Sequence, residues 1–104
     1  MKSLLLTLAA TTAMADSTVR FERVKKIAET CAACHGRQGI SENDEWPNLA
    51  GQKERYLYLQ LVAYKKGDRK NPLMSPMVSD LSDQDMKDLA HYYSQLGKAK
   101  NESK

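Results

Sequence analysis

Cys31, Ala32, Ala33, Cys34 and His35 follow one another without interruption. Cysteine, two spacers, cysteine and histidine is the pattern through which c-type haem is attached. The chemistry explains the spacing. Each thiol adds across one vinyl group of a porphyrin, which gives two thioether bonds. Two intervening residues at a helix end set both sulfurs along one edge of the ring. The histidine directly after the second cysteine then supplies an axial imidazole to the iron. Gly36 relieves crowding where the chain turns away. Three other uses of the pair compete less well. A thioredoxin-like dithiol belongs beside a βαβ pattern. A structural zinc site wants four ligands, and the only other histidine is His91, with no further cysteine. A disulfide across so short a loop is strained and usually catalytic rather than structural. The motif predicts one haem c per chain, held covalently through two thioethers by Cys31 and Cys34, with His35 as an axial ligand.

An electron-transfer iron takes a second strong ligand. Methionine is the usual partner of histidine in c-type centres, where it raises the reduction potential. The candidates are Met74, Met77 and Met86. Met86 falls on the apolar stripe of a helix and reads as core. Met74 and Met77 lie in Asn71-Pro72-Leu73-Met74-Ser75-Pro76-Met77, where two prolines are expected to stiffen the chain and bar a regular helix. A stiff loop suits a soft ligand, but spacing does not choose between the two methionines. His91, inside a helix beside Tyr92, reads as a packed or solvated histidine.

Three helices must position these groups. The first covers about Thr18 to Ala33, with Phe21, Val24, Ile27, Ala28 and Cys31 at three- and four-residue spacing. The second runs from about Lys53 to Lys66, with Lys65 and Lys66 in its last turn and Gly67 as its cap. The third opens at Ser82, with Asp85 three residues on in a capping-box pattern, and carries Met86, Leu89, Ala90, Tyr93 and Leu96 on one stripe. No stretch alternates as a strand does. Between the helices lie Gly36 to Gln52 and Asp68 to Leu81, long for so small a domain and of the length that usually carries function.

The chain has 104 residues, 41% hydrophobic and 28% charged, an ordinary globular mixture for one small domain. A net charge of +3 without a basic, aromatic-studded stripe argues against nucleic-acid binding. A domain this small buries only about 60% of its unfolded surface. Three short helices and two long loops leave too little apolar volume for a core of their own, and a large apolar cofactor supplies it. The expected fold is all-α: three main helices and two long loops wrapped around one covalently bound haem. Lys2, the apolar run from Leu4 to Ala10 and the small-residue site Ala13-Met14-Ala15 have the layout of a secretory signal peptide. Residues 1–15 are therefore expected to be cleaved, leaving one domain over 16–104. The apolar run is short of the roughly 20 residues that span a bilayer, and no other is longer. An exported chain without a membrane span, in the periplasm, is expected.

Cys31-Ala32-Ala33-Cys34-His35-Gly36, Trp46-Pro47-Asn48-Leu49-Ala50-Gly51-Gln52, Tyr56 to Leu61, and Met74-Ser75-Pro76-Met77 followed by Leu81-Ser82-Asp83-Gln84-Asp85 together resemble a class I cytochrome c. The likeness is to the small bacterial periplasmic kind near cytochromes c553 and c554, and to one half of a di-haem cytochrome c4. It covers essentially all of the chain after the leader. The resemblance implies that Met74, the first methionine of M-x-x-M, is the second axial ligand, with Met77 packing nearby. It also implies that the Pro47 carbonyl accepts the ring N–H of His35, a contact that sets ligand orientation and basicity. One feature departs from the family. A glycine usual in the first helix, about two turns before the first cysteine, is missing, and Arg23 stands near that place. A wider gap between the first and last helices is expected there. The Tyr92-Tyr93 pair keeps the aromatic contact the family uses.

A haem with two protein ligands has no open coordination site and cycles one electron without binding substrate. The function implied is a periplasmic mono-haem electron carrier and not an enzyme. It would work as a monomer between redox protein partners that donate and accept electrons. Two alternatives share the motif: a haem c subunit fixed in a larger redox complex, and a five-coordinate haem c sensor or enzyme with both methionines off the iron. Lys65, Lys66, Arg69 and Lys70 cluster just before the methionine segment. They read either as a helix-end charge bias or as a docking rim for an acidic partner, with Arg69 also a candidate partner of a haem propionate.

Overall fold

The computed structural model describes the backbone of residues 2–98 and the side chains of residues 16–98. It contains four helices, α1 (Lys2–His35), α2 (Glu54–Lys66), α3 (Met74–Val78) and α4 (Asp83–Gln95), and no strand among the described residues. The chain is therefore all-α, as its periodicity predicts. α1 is longer than expected at its N-terminal end. Its sequence from Lys2 to His35 holds no glycine and no proline, so nothing breaks the helix before Gly36. The signal-peptide expectation concerns residues 1–15, whose side chains lie outside the described residues.

α4 is the central element and packs against both α1 and α2, while α3 packs on α2. Val24 and Ala28 of α1, Leu57 of α2, Val78 of α3 and Met86, Leu89, Ala90 and Tyr93 of α4 form one buried cluster with Leu81. The stripe on α1 is narrower than its sequence suggests. Phe21 stays 54% exposed, with the Lys25 ammonium 5.3 Å from its ring centroid.

The ends of α2 and α4 follow their sequences. Gly67 closes α2 at φ 86°, a left-handed conformation that costs glycine nothing. At the start of α4 the Ser82 hydroxyl accepts the Asp85 N–H and the Asp85 carboxylate accepts the Ser82 N–H, both at 3.0 Å. Two orphan donors of the helix start are thereby satisfied reciprocally.

Arg23, where the glycine of similar chains is missing, does not enter the α1–α4 crossing. Its side chain remains 61% exposed and forks onto the Asp85 carboxylate at 2.8 and 3.0 Å. One turn earlier Arg20 forks onto Asp88 at 2.7 and 3.3 Å. Two arginine–aspartate rungs thus tie α1 to α4 beside the apolar contact. Asp85 is 5% exposed, and Arg23, together with the Ser82 donors, overrides the cost of burying it and holds its carboxyl at about 2. A carboxylate depressed in this way stabilises the fold above its ordinary range near 4 and loses that contribution as pH falls through 2. With screening by solvent around the exposed guanidinium, the contribution at neutral pH is about 1–2 kcal/mol. Asp85→Asn is expected to lower holoprotein stability by that amount at pH 7. The difference from the unmodified chain should close between about pH 4 and pH 2 in denaturant titrations.

Candidate functional site

The last turn of α1 carries Cys31, Cys34 and His35. The two cysteines are not joined in a disulfide, and both are half-buried. The helix stops because Gly36 takes φ 84° while its N–H still bonds the Ala32 carbonyl at 2.9 Å. A side chain at Gly36 would run into the Ile40 carbonyl. The following loop is pinched at Gly39, whose carbonyl accepts the N–H groups of Leu49 and Ala50 at 2.8 and 3.0 Å. A Cβ at Gly39 would sit 2.9 Å from the Ala50 nitrogen, so the pinch requires glycine.

That pinch brings Pro47 back over the end of α1. His35, only 6% exposed, has Nδ1 at 2.8 Å from the Pro47 carbonyl oxygen. A carbonyl only accepts, so Nδ1 carries a proton, and in the neutral ring this tautomer has its lone pair on Nε2. Such a ring has the tautomer that a metal-ligating histidine needs, with its second nitrogen fixed by an acceptor.

The two thiols differ in surroundings. Cys31 packs against the core cluster, and burial pushes its thiol up, partly countered by the Tyr93 hydroxyl. Tyr93 is itself raised by burial and by Cys31, and its hydroxyl lies 3.4 Å from the Ala28 carbonyl. Its ring meets Tyr92 edge-on, with centroids 5.2 Å apart.

The methionine segment corrects one expectation. Residues Met74–Val78 form a helical turn, α3, with Pro76 inside it. Proline is tolerated because it occupies the third helical position, where a backbone N–H has no intrahelical acceptor to lose. The two methionines separate on this turn. Met74 is half-buried and packs against the core, whereas Met77 is 51% exposed. Asn71 and Ser75, which sequence reasoning passed over, frame Met74. The Asn71 Oδ1 accepts the N–H groups of Leu73 and Met74 at 2.8 and 3.0 Å. Asn followed by proline is a turn-initiating pair, and that was the available signal.

The basic cluster is not four equivalent charges. The Lys65 ammonium donates to the Leu81 carbonyl. Arg69 donates to the Gln60 side-chain oxygen at 2.6 Å and lies 4.6 Å from the Tyr64 ring centroid. Lys66 and Lys70 have no such partner among the described residues, and both line an open groove of about 610 Å³ with Tyr64, Pro72 and Pro76. His91 is on the far side of this reading: it is exposed and 2.8 Å from Glu54 on α2. Met86 is buried in the core at 4% exposure.

Two unbridged cysteines at a helix end, an imidazole beside them with Nδ1 held by a carbonyl, and large apolar side chains left uncovered by the polypeptide at Ile40, Leu59 and Leu73 fit a covalently attached haem. They do not fit a protein-only metal site, because no three His, Cys, Asp or Glu side chains converge among the described residues. An all-α chain with this site has the character of a c-type haem protein. Residues 21–97 match the cytochrome c family. Cytochrome c-554(548) of Halomonas halodenitrificans is 47% identical over 68 residues, 62% of this chain and 82% of that one. Cytochrome c4 of Stutzerimonas stutzeri is 43% identical over 101 residues, covering 88% of this chain and 48% of that one. The crystal structure of reduced recombinant cytochrome c4 from Pseudomonas stutzeri matches with a TM-score of 0.67 and 40% identity, over 72% of this chain and 44% of that one. The chain thus spans about half the length of these cytochromes c4. It belongs to the cytochrome c family, has the class I cytochrome c fold, and carries covalently bound haem c.

Proposed function

We propose that this chain is a periplasmic, monomeric electron carrier with a single haem c, its iron held between His35 and Met74. The observation that carries the reading is the opposed setting of the two methionines: Met74 turns in against the core, while Met77 is half-exposed to solvent. A soft ligand must be held still and away from water to keep a thioether on iron. Bound haem c supplies a one-electron Fe(II)/Fe(III) couple. The chain's own residues do the rest. Cys31 and Cys34 form the thioethers. Pro47 holds the His35 proton on Nδ1 and leaves Nε2 for the metal. The buried face of α4 keeps the end of α1 in place through Tyr93. With both axial positions taken by protein there is no open site for substrate, which supports a carrier over an enzyme. The layout of Lys2, the apolar run from Leu4 to Ala10 and Ala13-Met14-Ala15, which is that of a secretory leader, supports export. Among the described residues no helix is long and apolar enough to cross a membrane.

Partners of a carrier must be met and released quickly, which favours charge at the rim of the contact. Lys66 and Lys70 beside the methionine turn are the proposed contact for an acidic partner. The holoprotein should titrate as one one-electron wave, with the far-red sulfur-to-iron band in its oxidised form. Lys66→Glu with Lys70→Glu should slow transfer to an acidic partner at low salt, and the effect should shrink above about 0.1 M, where the Debye length falls to about 10 Å. Rates unaffected at low ionic strength would remove the docking assignment. A spectrum without the far-red band would remove the His/Met carrier.

A further inference from the structure

The geometry points to Asn71 as a positioning residue for the Met74 thioether, an inference that rests on Met74 being the axial ligand. Four hydrogen bonds close around the backbone that carries this methionine. The Asn71 Oδ1 accepts from the N–H groups of Leu73 and Met74 at 2.8 and 3.0 Å. The Asn71 carbonyl accepts the Ser75 N–H at 2.9 Å, and the Asn71 N–H donates to the Ser75 hydroxyl at 3.1 Å. Asn71 and Ser75 are both half-buried.

The polypeptide's own packing holds only one end of this turn. Of its apolar side chains Val78 is fully buried and Met74 partly so, but Leu73 and Met77 are 56% and 51% exposed. Packing of the polypeptide anchors the C-terminal end of α3 through Val78, while at the end that bears Met74 the backbone is fixed by these hydrogen bonds. A five-residue helix has no stability of its own. Its first N–H groups need acceptors, and a side-chain amide supplies them here. When Asn71 holds those groups, swinging Met74 away from iron means breaking the box. When it does not, the thioether leaves more readily and an outside ligand competes better.

The test is imidazole binding to the oxidised holoprotein, read as loss of the far-red band. Asn71→Ala should bind imidazole about five- to tenfold more tightly, the range set by losing a side-chain cap. Asn71→Asp keeps the Oδ acceptor and should return the affinity to within about twofold of the unmodified protein. An Asn71→Ala protein with unchanged imidazole affinity overturns the proposal. So does one whose denaturation midpoint drops while imidazole affinity stays the same, since that is a structural role alone. If Asn71→Ala does not load haem, Ser75→Ala removes one acceptor of the same box and should tighten imidazole by about twofold; no change there overturns it equally. Met74→Ala separates the two layers. If that protein keeps the band, the ligand assignment fails. If it loses the band and the Asn71 variants behave as the unmodified protein, only the positioning role fails.

Discussion

Replacing Cys31 and Cys34 together with alanine is expected to leave the chain free of haem and largely unfolded. The thiols are the covalent hold, and the polypeptide alone builds a thin core. Nine side chains make up its buried cluster, two of them alanines. Ile40, Leu59 and Leu73 stay between 43% and 56% exposed. Fully burying a side chain of this kind contributes roughly 1.5–3 kcal/mol, and the net stability of a whole domain is only about 5–15 kcal/mol. A few such groups left uncovered therefore decide whether the chain folds. Either single change should leave at most one thioether and a reduced yield of loaded protein. Intact mass and far-ultraviolet circular dichroism read both quantities. A double variant with the mass of the bare chain, native helicity and a cooperative melt would show that the polypeptide core suffices by itself.

The second large effect is expected at Met74. Met74→Ala should lower the reduction potential by on the order of a few tenths of a volt, within the roughly 0.8 V range that axial ligands command. A thioether favours the reduced iron, and its loss removes that preference. The variant should also lose the far-red band and admit imidazole or carbon monoxide at the sixth position. Met77→Ala should keep the band and shift the potential slightly, because its side chain is half in solvent. Potentiometry with optical detection separates the two. The opposite pattern, with the band lost at Met77 and kept at Met74, would reverse the ligand assignment.

The haem-attachment motif was legible from five consecutive residues because its chemistry is local. Two thiols and an imidazole within one helical turn need only the helix to be aligned. The ends of α2 and α4 were legible for the same reason: Gly67 and the Ser82–Asp85 box act across one to three residues. Pro72 and Pro76 read as breakers in the sequence, yet a helical turn forms at Met74, because the effect of proline depends on its position within the helix. At the third place of α3 it removes a donor that had no acceptor.

Other features depend on residues far apart in sequence, and periodicity carries no information about them. Arg23 and Asp85 are 62 positions apart, and Arg20 and Asp88 are 68 apart. Their pairing exists only because α1 crosses α4 in one register. The basic cluster looked uniform as a string of residues. Packing divides it: Lys65 reaches a carbonyl beyond α3 and Arg69 folds back on Tyr64 and Gln60, whereas Lys66 and Lys70, which line the groove together with Lys65, have no such partner among the described residues. By itself the sequence determined the cofactor chemistry, the helical class and the ends of α2 and α4, because each rests on groups within a turn of one another. Tertiary structure decided how far each methionine is covered and which of the basic side chains find partners among the described residues, and it sets the Pro47 brace on His35 that the resemblance implies. Those outcomes depend on which surfaces the folded chain covers, and only the packing of helices and loops sets that.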